Sequence, residues 1–232
     1  MAFRYLTPYR RGMTPRSRLG GGSLFDLHRQ MNSLFDDLFE QDGDGTGTTA
    51  TMTSPMLDIH QDDDQIEIAN LQRQIAFEQS DLGESKAEHL ADRVRRINPD
   101  VSVATLTERL EGDELQRQVN SATLVVDCTD NFNTRFALNR ACVAARVPLV
   151  SGAAIRGEGQ LSVYDVRDDS SPCYHCLYSE QGNEDLTCSE AGVIGPLVGM
   201  IGASQAMEAV KVITGVGKPL IGRLLIQIGN TS

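Results

Sequence analysis

The chain has 232 residues, of which 21 are basic and 32 acidic, so its formal net charge is −11. This length suits one α/β domain with an appendage, and the acidic balance argues against a nucleic-acid-binding protein, which needs a basic surface. No apolar run approaches the ~18 residues of a membrane-spanning helix. The five cysteines form no small secreted framework; because an odd number is typical of a reducing compartment, we expect a cytoplasmic protein.

Charge is distributed unevenly along the chain. Residues 1–20 hold five arginines and no acidic residue, whereas residues 21–64 hold ten acidic residues and one arginine. The first lysine in the sequence is Lys86. Such shifts in composition indicate a boundary between segments. We therefore predict two parts, a basic arm with one helix and a flexible linker over residues 1–54, and an α/β domain over residues 55–232.

The predicted helix of the N-terminal part is amphipathic. Its apolar residues recur at spacings of three and four, and they are Leu24, Leu27, Met31, Leu34, Phe35 and Leu38. We expect the rest of the arm to be largely disordered. The segments MNSLFDDLF and PMLDIHQDDDQIEI resemble the N-terminal arm of a bacterial small heat-shock protein, although no α-crystallin sandwich follows.

From about Gln65 onward the sequence predicts alternating strands and helices. Helices are expected at 84–97, 113–120, 133–145 and 193–214, and strands at 101–106, 123–127, 147–150, 160–165 and 223–228. Strands that are apolar throughout are typical of a parallel sheet covered by helices on both faces. The fold class is therefore predicted as α/β, Rossmann-like, with a mostly parallel sheet.

The motif NLQRQ places Asn70, Arg73 and Gln74 just after a strand-like stretch. An arginine there can bind phosphate oxygens with two donors, and Lys86 can add a point charge. For each cation taken alone, the alternative is an ordinary solvated surface charge.

The motif TLVVDCTDN places Thr129, Asp130 and Asn131 at the end of a strand that we expect to be fully buried. Open α/β sheets bind ligands outside the carboxyl ends of their strands, and a carboxylate there can hold Mg²⁺ beside nucleotide phosphates. The alternative is that Asp130 or Asn131 caps the helix predicted at 133–145.

Three cysteines follow in the last third of the chain. Cys173 and Cys176 have the spacing of half a zinc site, but the sequence holds no second C-x-x-C pair. A redox pair is the less favoured alternative, because a Ser-Ser-Pro loop precedes it rather than a strand. Cys188 lies shortly before a predicted helix, and its thiol is either a nucleophile activated by the helix N-terminus or an inert cysteine.

Taken together, these motifs resemble the MoeB/ThiF/HesA family of sulfur-carrier and molybdopterin-synthase adenylyltransferases, which are related to ubiquitin-activating enzymes. The matching segments are NLQRQ, GESKAEHLADRVRRINPD, VVDCTDNFNTRFALN, PLVSGAAIRGEGQ, PCYHCL, LTCSEAGVIGPLVG and QAMEAVKVITGVGKPL. The resemblance implies a homodimer that uses ATP and Mg²⁺ to adenylylate the C-terminal glycine of a ubiquitin-like sulfur carrier of the MoaD or ThiS kind. The segments SGAAIRGEGQ and LTCSEAGV are closer to the molybdenum-cofactor branch than to the thiamine branch.

The resemblance also implies roles for individual residues. ATP contacts are expected from Asp62, Asn70, Arg73, Gln74 and Lys86, and phosphate or magnesium contacts from Thr129, Asp130 and Asn131. Zinc ligands are expected at Cys173 and Cys176, and a sulfur-transfer thiol at Cys188. Catalysis is expected to depend on Arg73, Asp130 and Cys188, and we expect Arg73, Lys86 and Asp130 to line one pocket.

The sequence departs from the family pattern at two places. The family begins with a GxGGLG turn that binds phosphates on backbone N–H groups, and it ends with a second C-x-x-C pair; this sequence contains neither. We therefore expect poor zinc binding and leave catalytic turnover open. The alternatives are a chaperone-like or scaffold protein that uses the heat-shock-like arm, or an inactive hybrid.

Overall fold

A five-stranded mixed sheet lies at the centre of the fold. The computed structural model describes residues 3–5, 56–60, 65–179 and 192–228. The strands are β1 (Phe3–Tyr5), β2 (Met56–His60), β3 (Ser102–Leu106), β4 (Val125–Asp127), β5 (Leu149–Ile155), β6 (Glu158–Tyr164) and β7 (Leu224–Ile228). The α-helices are α1 (Lys86–Ile97), α2 (Gly112–Ser121), α3 (Phe132–Ala145), α4 (Tyr174–Leu177) and α5 (Gly195–Thr214), and short 3-10 helices cover Ile68–Asn70 and Gln79–Asp81.

The strands pair in both directions. The large sheet has the order β1-β7-β6-β5-β4, and β2 and β3 form a separate parallel pair. β4 and β5 are parallel, whereas β5–β6, β6–β7 and β1–β7 are antiparallel. Only Arg156 and Gly157 connect β5 to β6, and so short a connection permits only an antiparallel hairpin. The predicted α/β, Rossmann-like class is confirmed, but the sheet is mixed and not mostly parallel as expected, because parallel pairing is confined to β2–β3 and β4–β5.

The main helices begin and end where local sequence signals predict. The Ser85 side chain caps α1 by accepting a hydrogen bond from the Glu88 N–H at 3.5 Å. At the end of α5, Gly215 adopts the left-handed conformation that closes many helices. Helices predicted at 84–97, 113–120, 133–145 and 193–214 are found as α1, α2, α3 and α5.

Helices cover both faces of the sheet. Leu149 and Val150 are neighbours in β5, and their side chains therefore point to opposite faces. Leu149 packs in a cluster with Phe136 of α3, whereas Val150 packs in a second cluster against which Val212 of α5 lies. The helical coverage predicted from the apolar strands is thus present.

Strand β4 differs from the sequence prediction in its exposure. It is the last strand of the five-stranded sheet, and Val126 is 43% exposed. The expectation of a fully buried strand was wrong for this residue, because β4 ends the five-stranded sheet and has a neighbouring strand, β5, on one side only in that sheet.

Part of the N-terminal arm belongs to the sheet. Residues 3–5 form β1, which pairs with β7 and places Tyr5 opposite Leu225. An open sheet edge offers backbone hydrogen bonds, which accounts for the order of these three residues within an arm expected to be largely disordered. The predicted helix over 24–38 and the linker over 41–54 lie outside the described residues. Within the described ranges, no helix has the length and apolarity needed to cross a membrane.

Candidate functional site

A buried carboxylate at the end of β4 organises the turn that follows it. Asp127 is only 1% exposed. One of its oxygens accepts hydrogen bonds from the backbone N–H and the hydroxyl of Thr129, at 2.9 and 2.7 Å. The other accepts from the hydroxyl of Ser151, 2.9 Å away on the parallel strand β5. The carboxyl ends of β4 and β5 are therefore joined through one side chain.

Arg135 of α3 supplies the positive charge that accompanies Asp127. Its guanidinium lies 3.8 Å from the Asp127 carboxylate, donates to the Gly152 carbonyl at 2.9 Å, and also donates to the Thr129 carbonyl. Burial opposes the charged form, but the carboxylate of Asp127 raises the pKa of Arg135 above its ordinary value. Asp127 and Arg135 therefore hydrogen-bond the same turn from two different elements.

Gln205 ties helix α5 to the same strand ends. Its side-chain amide donates to the Asp127 carbonyl at 2.7 Å. A Cβ placed on Gly152 would lie 2.3 Å from the Gln205 Cδ, which is far inside van der Waals contact. The glutamine can therefore reach β4 only because residue 152 has no side chain.

The three residues predicted to face phosphates have different environments. Thr129 is bonded to Asp127, and Asn131 is the N-cap of α3, its side chain accepting from the Thr134 N–H at 2.8 Å. The capping alternative is thus confirmed for Asn131. Asp130 between them is exposed, and no group within the described ranges hydrogen-bonds its carboxylate.

The NLQRQ motif forms a compact turn. Asn70 is buried, and its side chain accepts from the Glu67 N–H at 3.3 Å. The Arg73 guanidinium donates to the Ala69 carbonyl at 3.0 Å. The Oε1 atom of Gln74 is enclosed without a hydrogen-bond partner in the described part of the chain. Because buried acceptors are nearly always satisfied, this oxygen is suited to a donor from a bound molecule.

The N-terminus of α5 packs against this turn. A Cβ on Gly195 would lie 2.3 Å from the carbonyl oxygen of Gln72 and 3.4 Å from the Arg73 Cα. Gly195 and Gln205 are ten residues apart in one helix, or roughly 15 Å at 1.5 Å per residue. Helix α5 therefore connects the NLQRQ turn to the strand end that carries Asp130, which brings two of the predicted motifs to one helix.

Lys86 is the first residue of α1 and is 3% exposed. The loop before it is held in place by backbone hydrogen bonds between Ile66 and both Gly83 and Glu84, at 3.0 and 2.9 Å. The structure therefore places Lys86 beneath the surface, on an element different from that of Arg73.

A cluster of Asp81, Glu84 and His89 braces the same loop. The two carboxylates approach different nitrogens of the imidazole, at 3.2 Å for Asp81 and 3.0 Å for Glu84. A metal ion binds through one ring nitrogen, so this arrangement is better explained as two polar contacts that fix the loop.

The Cys173 and Cys176 thiols lie 3.5 Å apart. Burial opposes ionisation of Cys173, but hydrogen bonds from Cys176 outweigh it and lower the pKa of this thiol. Between them Tyr174 anchors the segment, since its N–H donates to the Asn139 side chain at 2.9 Å. In the described residues no third metal-ligating side chain joins the pair. Asp62 and Cys188 lie outside the described residues.

Sequence reasoning missed three residues of this site, namely Asp127, Arg135 and Gln205. The spacing of Arg135, Asn139 and Cys142 places them on one face of α3, and the structure buries all three. A charged residue in a buried helical stripe requires a buried partner. No local pattern indicates the role of Gln205.

Comparison with known proteins places the chain in a family. The model of the ThiF family matches residues 57–231. The molybdopterin-synthase adenylyltransferase of Escherichia coli is 46% identical over 165 residues, and the sulfur carrier protein ThiS adenylyltransferase of the same organism is 39% identical over 171 residues. These alignments include 71% and 74% of this chain, which spans 66% and 67% of the two relatives.

Solved structures show the same fold. The chain is similar to E. coli MccB solved with ATP, with a TM-score of 0.61 and 24% identity over 76% of this chain and 57% of that protein. A second structure of E. coli MccB has a TM-score of 0.62 at 22% identity over 77% of this chain and 56% of that protein. The family match over most of the sequence and the identities above 30% agree, and the chain belongs to the ThiF family.

Proposed function

We propose that this protein uses ATP to adenylylate the C-terminal glycine of a small ubiquitin-like sulfur carrier of the MoaD or ThiS kind. The relatives that are named adenylyltransferases for molybdopterin synthase and for ThiS support this reaction class. The observation that carries the proposal is the exposed Asp130, which follows a parallel strand at the sheet edge where α/β folds bind ligands.

The side chains present are suited to ATP and Mg²⁺. Arg73 provides a guanidinium for phosphate oxygens, and Lys86 adds positive charge from beneath the surface. The enclosed Oε1 of Gln74 lacks a donor among the described residues, and an amino or hydroxyl group of a nucleoside would supply one. The carboxylate of Asp130, which no described residue hydrogen-bonds, is a suitable Mg²⁺ ligand, because this ion binds one or two carboxylates together with phosphate oxygens. Asn70 stabilises the turn that presents Arg73.

In the proposed reaction, the carboxylate of the carrier attacks the α-phosphorus of ATP and pyrophosphate leaves. Negative charge then builds on the phosphate oxygens, so positioned cations rather than a nucleophilic triad accelerate the step. Mg²⁺, when bound, neutralises phosphate charge. Thr129 and Asn131 act by fixing the turn on either side of Asp130, and Cys188 is proposed as a thiol for later sulfur transfer.

We also propose that the protein is a homodimer built through α5. Its outward face exposes Met207, Val210 and Ile213 at 58%, 53% and 60%, and these residues follow at intervals of three. Contiguous exposed apolar residues on a helix favour a protein–protein interface. A second copy would also bury the exposed glycines Gly199 and Gly202 of the same helix.

The proposed site of action is the cytoplasm. The four cysteines within the described ranges are all free, which is usual in a reducing compartment. ATP and a carrier protein would be available there.

The experiment that tests the function is ATP–pyrophosphate exchange. We expect exchange only when a MoaD-like or ThiS-like carrier is added, and none with a carrier that lacks its C-terminal glycine. Asp130→Asn should abolish the exchange. Asp169 is an exposed aspartate after β6, and Asp169→Asn, as the control, should not change the exchange. Absence of exchange with both carriers would refute the proposal, and suppression of client aggregation without ATP would favour the chaperone-like alternative.

A further inference from the structure

We propose that Arg135 is a positioning residue that, together with Asp127, fixes the Thr129–Asn131 turn so that Asp130 is held in its working position. This inference rests on the proposed function, in which Asp130 faces the phosphates. Arg135 itself is only 7% exposed, so it acts through the turn and does not reach a ligand.

The hydrogen bonds of the turn surround Asp130 on both sides. Thr129 makes three hydrogen bonds. Its N–H and its hydroxyl donate to the Asp127 carboxylate, and its carbonyl accepts from Arg135. Asn131 is held by the Thr134 N–H at the start of α3. The backbone of Asp130 is therefore defined by its two neighbours, while its carboxylate stays unbonded in the described structure. Such an arrangement orients a carboxylate without consuming its hydrogen-bonding capacity.

Only an arginine can make this set of contacts. The planar guanidinium of Arg135 reaches two carbonyls on different elements, those of Thr129 and Gly152, and also faces the Asp127 carboxylate. A lysine ammonium is a compact point charge that does not present donors in a fixed fork. Arg135→Lys therefore keeps the positive charge near Asp127 but cannot hold all three groups in the same geometry.

The positioning role of Arg135 predicts a specific kinetic pattern. The cations expected to bind ATP lie elsewhere, on the NLQRQ turn and on α1. We therefore expect Arg135→Lys to lower kcat of pyrophosphate exchange by about tenfold, to change KM for ATP by less than about threefold, and to raise the Mg²⁺ concentration needed for half-maximal rate. Arg140→Lys, an exposed position on the same helix, is the matched control and should behave as the wild type does.

Hydrogen–deuterium exchange tests the same idea without relying on activity. In Arg135→Lys, peptides that contain Thr129 and Thr134 should exchange about tenfold faster, because amide exchange reports local opening. Peptides from β6 should be unchanged. Ser151→Ala removes one hydrogen bond to Asp127 but keeps both charges; it should loosen the same turn to a smaller extent, and it serves as the test if Arg135→Lys does not fold.

The outcomes separate the two proposals. Faster hydrogen exchange confined to the turn, together with a lower kcat of pyrophosphate exchange, supports the positioning role. Unchanged hydrogen exchange in both Arg135→Lys and Ser151→Ala overturns it. A selective rise in KM for ATP also overturns it, because it would mean that Arg135 contacts the nucleotide. If the wild-type protein shows no pyrophosphate exchange with either carrier, the proposed function fails, whereas the hydrogen-exchange result still decides whether Arg135 fixes the turn.

Discussion

The amide of Gln205 occupies the space in which a side chain on Gly152 would lie. A Cβ at residue 152 would lie 2.3 Å from the Gln205 Cδ and 2.8 Å from its Nε2. That Nε2 donates to the backbone carbonyl of Asp127. The side chain of Asp127 also holds the turn that carries Asp130. A glycine on β5 and a glutamine on α5 are therefore both required to seat the helix against the end of β4.

Gly152→Ala should destabilise the protein by about 1–3 kcal/mol, because the added methyl group overpacks a closed region. The free energy of unfolding, measured in urea, checks this expectation. Combining it with Gln205→Ala should cost less than the sum of the two single losses, since the second change removes the clash. Ala144→Ser is the control, because it adds one atom at an exposed position of α3; an equal loss there would contradict the packing argument.

Arg73→Ala should weaken ATP binding by about 1.5–3 kcal/mol, which is the usual contribution of a charge-assisted hydrogen bond. Isothermal titration with a non-hydrolysable ATP analogue measures this change. Arg96→Ala removes an exposed arginine at the end of α1 and should leave the affinity unchanged. Equal affinity of the Arg73 variant and the wild type would rule out this arginine as a phosphate contact.

Val210→Glu should convert the proposed dimer into a monomer, because it places a charge in the middle of the exposed apolar face of α5. Light scattering at micromolar concentration distinguishes the two masses. Lys218→Glu changes charge just beyond the helix and should preserve the dimer. A monomeric wild-type protein under the same conditions would refute the dimer directly.

Acid should remove a stabilising interaction of Asp165. Hydrogen bonds from Arg167, at 2.7 and 2.8 Å, outweigh burial and lower the pKa of the Asp165 carboxyl below its ordinary value of 3.8. A group whose pKa is lower in the folded state contributes stability above the unfolded pKa, and that stability is lost as pH falls through the folded value. The unfolding free energy should thus decline below about pH 4, and Asp165→Asn should reduce that decline while a distant exposed substitution such as Asp100→Asn should not.

Zinc binding should be weak. Cys173 and Cys176 supply two thiols, whereas a closed structural site needs four ligands. Metal analysis after dialysis against a mild chelator should find well below one zinc per chain. Cys173→Ser should then change the metal content little. One tightly held zinc per chain would show that residues beyond the described ranges, or a partner chain, complete the site.

Sequence patterns by themselves determined the local parts of this protein. Helix α1 follows from the period of its apolar residues, and the cap of α3 follows from Asn131. These features depend on residues within one or two turns of each other, so periodicity and capping chemistry are sufficient to locate them. The NLQRQ and CTDN motifs were identified from their polar residues and their place directly after a strand.

Tertiary structure alone decided how the site is held together. Asp127 meets Ser151 24 positions later and Gln205 78 positions later, and no local pattern encodes such pairs. The mixed direction of the sheet, the burial of Lys86 and the exposed face of α5 are likewise set by which elements pack together. Burial and charge pairing are properties of contacts between distant segments, and only the folded chain brings those segments within hydrogen-bonding distance.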